Sequence, residues 1–130
     1  MPGFLAFSPA GEMFVSNAHT GVITRFLDPQ GTPVFHGIIA SSEIIPTLHW
    51  GSFRGDELFV TTTGGGNVVR FTFDAAGNAV FNGTITAGLD RNVRGVRLNP
   101  ATGELFVLTA PSPSTSARGA SCSSRTAMTE

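Results

Sequence analysis

One four-residue segment occurs three times in this 130-residue chain, at nearly constant spacing. It stands as Glu12-Met13-Phe14-Val15, as Glu57-Leu58-Phe59-Val60 and as Glu104-Leu105-Phe106-Val107, with separations of 45 and 47 residues. A unit that recurs at this period cannot bury its apolar face alone; it needs a neighbouring unit to cover it. The copies agree beyond the core. Phe7-Ser8-Pro9-Ala10-Gly11, Phe53-Arg54-Gly55-Asp56 and Leu98-Asn99-Pro100-Ala101-Thr102-Gly103 each end an apolar strand in a tight turn just before it. After it, Val22-Ile23-Thr24-Arg25-Phe26 matches Val68-Val69-Arg70-Phe71, and Val34-Phe35-His36-Gly37 matches Val80-Phe81-Asn82-Gly83.

These matches predict four strands per unit, rich in the Val, Phe, Ile and Thr that suit pleated surfaces. Inner strands fall near Gly3–Ser8, Thr47–Phe53 and Val93–Asn99, and second strands near Glu12–Ser16, Glu57–Thr62 and Glu104–Thr109. Third strands fall near Val22–Phe26 and Asn67–Phe73, and outer strands near Pro33–Ile38 and Ala79–Thr84. Asp28-Pro29-Gln30-Gly31 and Asp74-Ala75-Ala76-Gly77-Asn78 read as the hairpin turns between them. No stretch of ten residues keeps helical apolar spacing without Gly or Pro breaking it. The expected fold is all-β: a partial β-propeller of about two and a half four-stranded antiparallel blades over residues 1–110. The blades span about 3–39 and 47–85, with a half blade at 93–109.

The run Ser8-Pro9-Ala10-Gly11-Glu12-Met13-Phe14-Val15-Ser16-Asn17, with the Arg-Phe pairs and the Asp-to-Gly turns, resembles a blade of the NHL and YVTN class of β-propellers. The resemblance covers about residues 3–110. It implies a six- or seven-bladed parent fold that hosts lactonases, streptogramin-lyase-like enzymes and pure binding scaffolds, so it fixes no single activity. In the lactonase-like families a divalent metal is held by a Glu, Asn and Asp set drawn from several blades. Here Glu12, Glu57 and Glu104 recur at one position, which argues for a packing or turn role in every unit. No cofactor is expected for this chain, and a divalent metal only for a full-length lactonase-like parent.

Composition narrows the function classes. The formal net charge is −1, and all eight basic residues are Arg, scattered along the chain. A nucleic-acid surface needs a basic stripe, so nucleic-acid binding is not expected. Cys122 is the single cysteine, and no pair of cysteines exists to form an internal disulfide. The first residues lack a charged segment followed by a long apolar one, and no apolar run approaches the ~20 residues of a membrane span. Neither a secretory signal nor a membrane partner is expected, and the compartment stays open.

From Pro111 the sequence changes character. Residues 111–130 contain no Phe, Ile, Leu or Val, so they are expected to form a disordered Ser/Thr-rich tail. The switch falls in the middle of the third unit. Small residues with Arg and no Lys are also what an out-of-frame reading of GC-rich DNA gives, so a genuine tail and a frameshifted one both stand. Either way the third unit is expected to hold two strands, with an open edge along Leu105–Leu108.

Propeller sites lie at the mouth of the central channel, on the connections entering inner strands and between second and third strands. Those positions include Asn17, His19, Thr47, His49, Gly64–Asn67, Asp90, Arg91, Asn92 and Arg94. The channel-mouth candidates are His19, His49, Asp90, Arg91 and Arg94. His49 reads as an acid/base or ligand group, or more simply as a strand histidine hydrogen-bonded in its blade. His19 sits where streptogramin-lyase-like proteins carry loop histidines, but the second copy has no histidine there, which favours a solvated loop. His36 falls on an outer strand opposite Asn82 in the repeat and reads as a surface residue. Arg91 and Arg94 suit an anion at the mouth, or local pairing with Asp90. Gly64-Gly65-Gly66 lacks the following Lys and helix of a phosphate cradle. No Cys/His metal spacing and no Gly-x-Ser-x-Gly elbow occurs.

The expected function is therefore a non-catalytic scaffold or binding module, with a piece of a lactonase-like hydrolase or streptogramin-lyase-like enzyme as the alternative. Exposed blade faces predict self-association, or cover by the missing blades of a parent propeller. Three chains of two blades would make a six-bladed ring, but the extra half blade obstructs that closure.

Overall fold

A computed structural model describes residues 2–28, 30–40, 48–62, 65–86, 88–89, 92–110 and 125–128. It is all-β, with eleven strands in three antiparallel sheets and no helix among the described residues. The first sheet holds β1 (Pro2–Phe7), β2 (Met13–Asn17), β3 (Val22–Leu27) and β4 (Val34–Ala40), in that order. The second holds β5 (Leu48–Arg54), β6 (Glu57–Thr62), β7 (Asn67–Phe73) and β8 (Ala79–Ile85), again as a meander. The third holds β9 (Val93–Leu98), β10 (Leu105–Thr109) and β11 (Arg125–Met128), in the order β9, β10, β11.

Ten of these strands fall where the repeat places them. The eleventh occupies a place the sequence reading left empty. Strand β11 pairs antiparallel with β10, from Leu105↔Met128 to Leu108↔Arg125. It therefore stands where β3 and β7 stand in the other sheets, as a third strand. Its lack of Phe, Ile, Leu and Val hid it from a reading based on apolar alternation. The remaining residues of the 111–130 tail lie outside the described ones.

Turn chemistry sets the registers. Arg54↔Glu57 closes a two-residue hairpin over Gly55-Asp56, with Gly55 at φ 56°. A glycine at the first loop position gives the turn whose twist suits its flanking strands. The registers then align the three sheets. Val15, Val60 and Val107 face Leu5, Gly51 and Val96 respectively. Each sheet so presents two unlike faces.

The sheets stack through those faces in one sense. One face of the first sheet, with Phe4, Ala6, Phe14 and Ile23, packs on Leu58, Val60, Val69 and Phe71 of the second. The opposite face of the second sheet, with Phe59 and Val68, packs on Val93, Val96, Leu105 and Val107 of the third. Leu58, Phe59, Val60, Val68, Val96 and Val107 are fully buried, and each such side chain stabilises the stack by about 1.5–3 kcal/mol. Along the inner edge, β1 packs against β5 and β5 against β9. At the first interface the Phe4 ring fills the space over Gly51, where a Cβ would come within 2.5 Å of it.

The repeated Glu now has a physical role. Glu12 accepts two hydrogen bonds from Arg25, Nη2 to Oε1 at 2.6 Å and Nε to Oε2 at 3.0 Å. Arg70 Nε donates to Glu57 Oε1 at 2.7 Å, the same pair one unit on. Each pair clamps the second strand to the third beside a buried phenylalanine, Phe14 or Phe59. Arg25 also donates through Nη1 to the Gly77 carbonyl at 2.5 Å, and so ties the first sheet to the second. In the third sheet Ala127 stands opposite Phe106, where the other sheets carry arginine, and Glu104 instead accepts from Thr102.

Candidate functional site

The inner strand of every sheet carries an irregularity at the same place. Between Trp50↔Thr61 and Leu48↔Thr62, one residue, His49, has no partner on β6. Between Gly95↔Leu108 and Val93↔Thr109, Arg94 is skipped in the same way. Strand β1 shifts register between Pro2 and Leu5, and counting from Leu5 puts Gly3 at the equivalent position. A β-bulge leaves its extra residue unpaired and re-aims its side chain. Three successive bulges therefore bring Gly3, His49 and Arg94 to one end of the inner strands.

A hydroxyl holds the bulge in two of the three sheets. Ser16 Oγ accepts from the Phe4 amide at 2.8 Å. Thr61 Oγ1 accepts from the Trp50 amide at 3.0 Å and donates to the Trp50 carbonyl at 3.3 Å. Both hydroxyls are fully buried. The bulge frees an inner-strand amide from the ladder, and the neighbouring strand's side chain satisfies it. The third sheet has Leu108 at this position, which offers no such partner.

The bulges place two candidate residues in contact. Arg94 Nη1 lies 3.3 Å from His49 Nε2. A guanidinium only donates, so Nε2 accepts and the neutral ring carries its proton on Nδ1. That Nδ1 is buried and has no hydrogen-bond partner among the described residues. Around the pair lies an open cavity of about 590 Å³, lined by Trp50, Arg97, Phe106 and Leu108 as well as His49 and Arg94. The Arg97 guanidinium stands 5.3 Å from the Trp50 ring. No described carboxylate forms an ion pair with Arg94 or Arg97. The cleft thus combines a largely apolar wall with two cations at its rim, chemistry that suits an anion with a flat or apolar body.

The other candidates fare differently. His19 is exposed on the β2–β3 turn, where its amide donates to Asn17 Oδ1 at 3.1 Å. The pairing Pro2↔Asn17 puts that turn at the same end as the bulges, yet its local hydrogen bonding is that of a solvated turn. Thr47, Gly64, Asp90 and Arg91 lie outside the described residues. Asn67 belongs to β7, and its carbonyl accepts from Thr62 Oγ1 at 3.4 Å. His36 is exposed on β4. No group of three or more His, Cys, Asp or Glu is gathered for a metal ion among the described residues.

Trp50, Arg97, Ser16 and Thr61 escaped the sequence reading. Spacing held the signal for two of them: Ser16 and Thr61 follow the repeated Glu at the same distance. The wall of the cleft was not readable, because it depends on how β5 and β9 approach each other. In comparisons with known proteins, no family model matches the chain and no curated protein matches it.

Proposed function

We propose that this chain is a segment of an NHL/YVTN-type β-propeller in which the three sheets are successive blades. It acts as a non-catalytic scaffold or binding module, and its ligand end is the one where the inner-strand bulges meet. The observation that carries this reading is the bulge at one register position in all three inner strands, which joins His49 to Arg94. Repetition of a bulge on the strands nearest the axis is economical for lining a channel mouth, because each unit contributes one re-aimed residue. The rim cations Arg94 and Arg97, with which no described carboxylate forms an ion pair, favour an anionic ligand.

Titration with a small aromatic carboxylate, benzoate, followed by NMR tests this. Saturable shifts of the His49 ring, the Trp50 indole and the Arg94 side chain are expected, with at least tenfold weaker binding in Arg94→Ala. No response at these three residues would contradict the reading. Lactone hydrolysis by the purified chain with added divalent metal, abolished by His49→Ala, would favour the enzyme alternative instead.

A further inference from the structure

We propose that an oxyanion bound in this cleft bridges Arg94 and His49 and is taken up together with a proton on the His49 ring, so that the ligand is held more tightly as pH falls. This rests on the binding reading above and adds the regulation of that site.

The geometry first places the hydrogens. A guanidinium offers no acceptor, so the 3.3 Å contact from Arg94 Nη1 requires a bare Nε2 on His49. The neutral ring therefore keeps its hydrogen on Nδ1. That nitrogen is buried and meets no partner among the described residues. Exchange of a proton with solvent or ligand then falls to Nε2, the nitrogen turned toward the exposed Arg94.

A proton on Nε2 conflicts with this arrangement. It turns Nε2 into a donor, sets it against another donor at 3.3 Å and puts two cations side by side. No described carboxylate forms an ion pair with Arg94 or Arg97 to offset that repulsion. The elements around the ring bring no negative charge to it among the described residues. Strand β1 approaches the His49 carbonyl at Gly3, β6 offers Thr61 and Thr62 at this end, and β10 offers Leu108 and Thr109. The acidic residue of β6, Glu57, stands at the far end of that strand, opposite Arg54. The charges that face the ring come from β9, as Arg94, with Arg97 beside it over Trp50. His19 shares this end from the β2–β3 turn and is exposed. Without a ligand, the pair thus favours the neutral ring.

An oxyanion removes the conflict. One of its oxygens accepts from Arg94 Nη1 in place of Nε2, and another accepts from a protonated Nε2. The imidazolium and the guanidinium then share one negative charge instead of repelling each other. Trp50 follows His49 in the chain and lines the same cavity of about 590 Å³, which suits an apolar body behind the charged group. Linkage is reciprocal: the factor by which the anion raises the ring's affinity for a proton is the factor by which the proton raises the site's affinity for the anion. An opposite charge at this range is worth about tenfold or more in proton affinity. The extra affinity is present below the ring's titration and lost as pH rises through it.

Benzenesulfonate tests the linkage, because its own charge stays constant over the range used. Its affinity is read from NMR shifts of the Trp50 indole at about pH 5.5 and about pH 8, on either side of the ordinary imidazole range and above the carboxylate range. The unmodified chain should bind about tenfold more tightly at the lower pH, and saturating benzenesulfonate should move the midpoint of the His49 ring titration upward. In His49→Gln, whose amide oxygen accepts from Arg94 but takes up no proton, the pH dependence should vanish; in His19→Gln it should persist. Equal affinity at the two pH values, an unmoved His49 midpoint, or a pH dependence retained in His49→Gln would overturn the proton linkage and leave the binding reading standing. No saturable binding at either pH would overturn both. If His49→Gln alone fails to bind, the His49 midpoint in the unmodified chain decides.

Discussion

Thr61 shows how one hydroxyl can decide the shape of a strand. Its side chain replaces a ladder partner for the Trp50 amide, so the bulge at His49 costs no unsatisfied donor. Thr61→Val keeps the volume and removes the oxygen. It should destabilise the chain by about 1–3 kcal/mol, the cost of a buried unpaired amide, as read from urea unfolding midpoints. A change within experimental error would mean that the bulge does not depend on this hydroxyl. Asp74 organises the β7–β8 turn in a comparable way at the surface. Its carboxylate accepts from the Asn78 amide at 2.8 Å, the Asn78 side chain at 3.2 Å and the Ala76 amide at 2.9 Å. The Asn78 backbone bond, followed by its side-chain bond, holds the Asp74 carboxyl below its ordinary value. The turn's preference for the ionised form is therefore present above the usual carboxylate range and lost as pH falls through the lowered value. Carboxyl carbon shifts in an NMR pH titration should show Asp74 titrating below the ordinary aspartate range, and Asn78→Ala should move it upward.

At the scale of the strand, the repeated Glu is a clamp between neighbours. Arg25 is only 11% exposed, so removing its carboxylate leaves a nearly buried cation with one carbonyl partner. Glu12→Ala should therefore cost more than a surface ion pair, about 1.5–3 kcal/mol by chemical unfolding, whereas Glu104→Ala, whose partner is an exposed threonine, should cost less than about 1 kcal/mol. Equal effects at the two positions would refute the clamp. Much at this scale was legible in advance, because strand alternation and turn residues are local signals. Glu-Leu-Phe-Val at a fixed period located β2, β6 and β10, and Gly55-Asp56 marked a hairpin. The Arg-Phe pairs were visible too, but their partners were not, since the repeat does not say which side chains meet across a ladder. The bulges stayed hidden for a related reason: one unpaired residue in a strand leaves no compositional mark. His49 and Arg94 were nominated from their place at the start of inner strands, and only the register shows them in contact. Strand β11 had no apolar pattern to announce it.

The whole molecule depends on stacking in one sense. A single four-stranded sheet with two apolar faces is not stable in water, and each contact between sheets buries several large side chains at once. The first interface is ordered by the fit of Phe4 over Gly51 and by the Arg25 bond to Gly77; the second by Trp50 and the cluster around Val96. That order places the three bulges side by side. The measurement that bears on it most directly is a nuclear Overhauser spectrum of the chain. Stacked sheets should give cross-peaks from the Phe4 ring to the Gly51 α protons, alongside the ladder contacts within each sheet. Ladder contacts without the Phe4–Gly51 cross-peaks would mean that the sheets form but do not stack in this way.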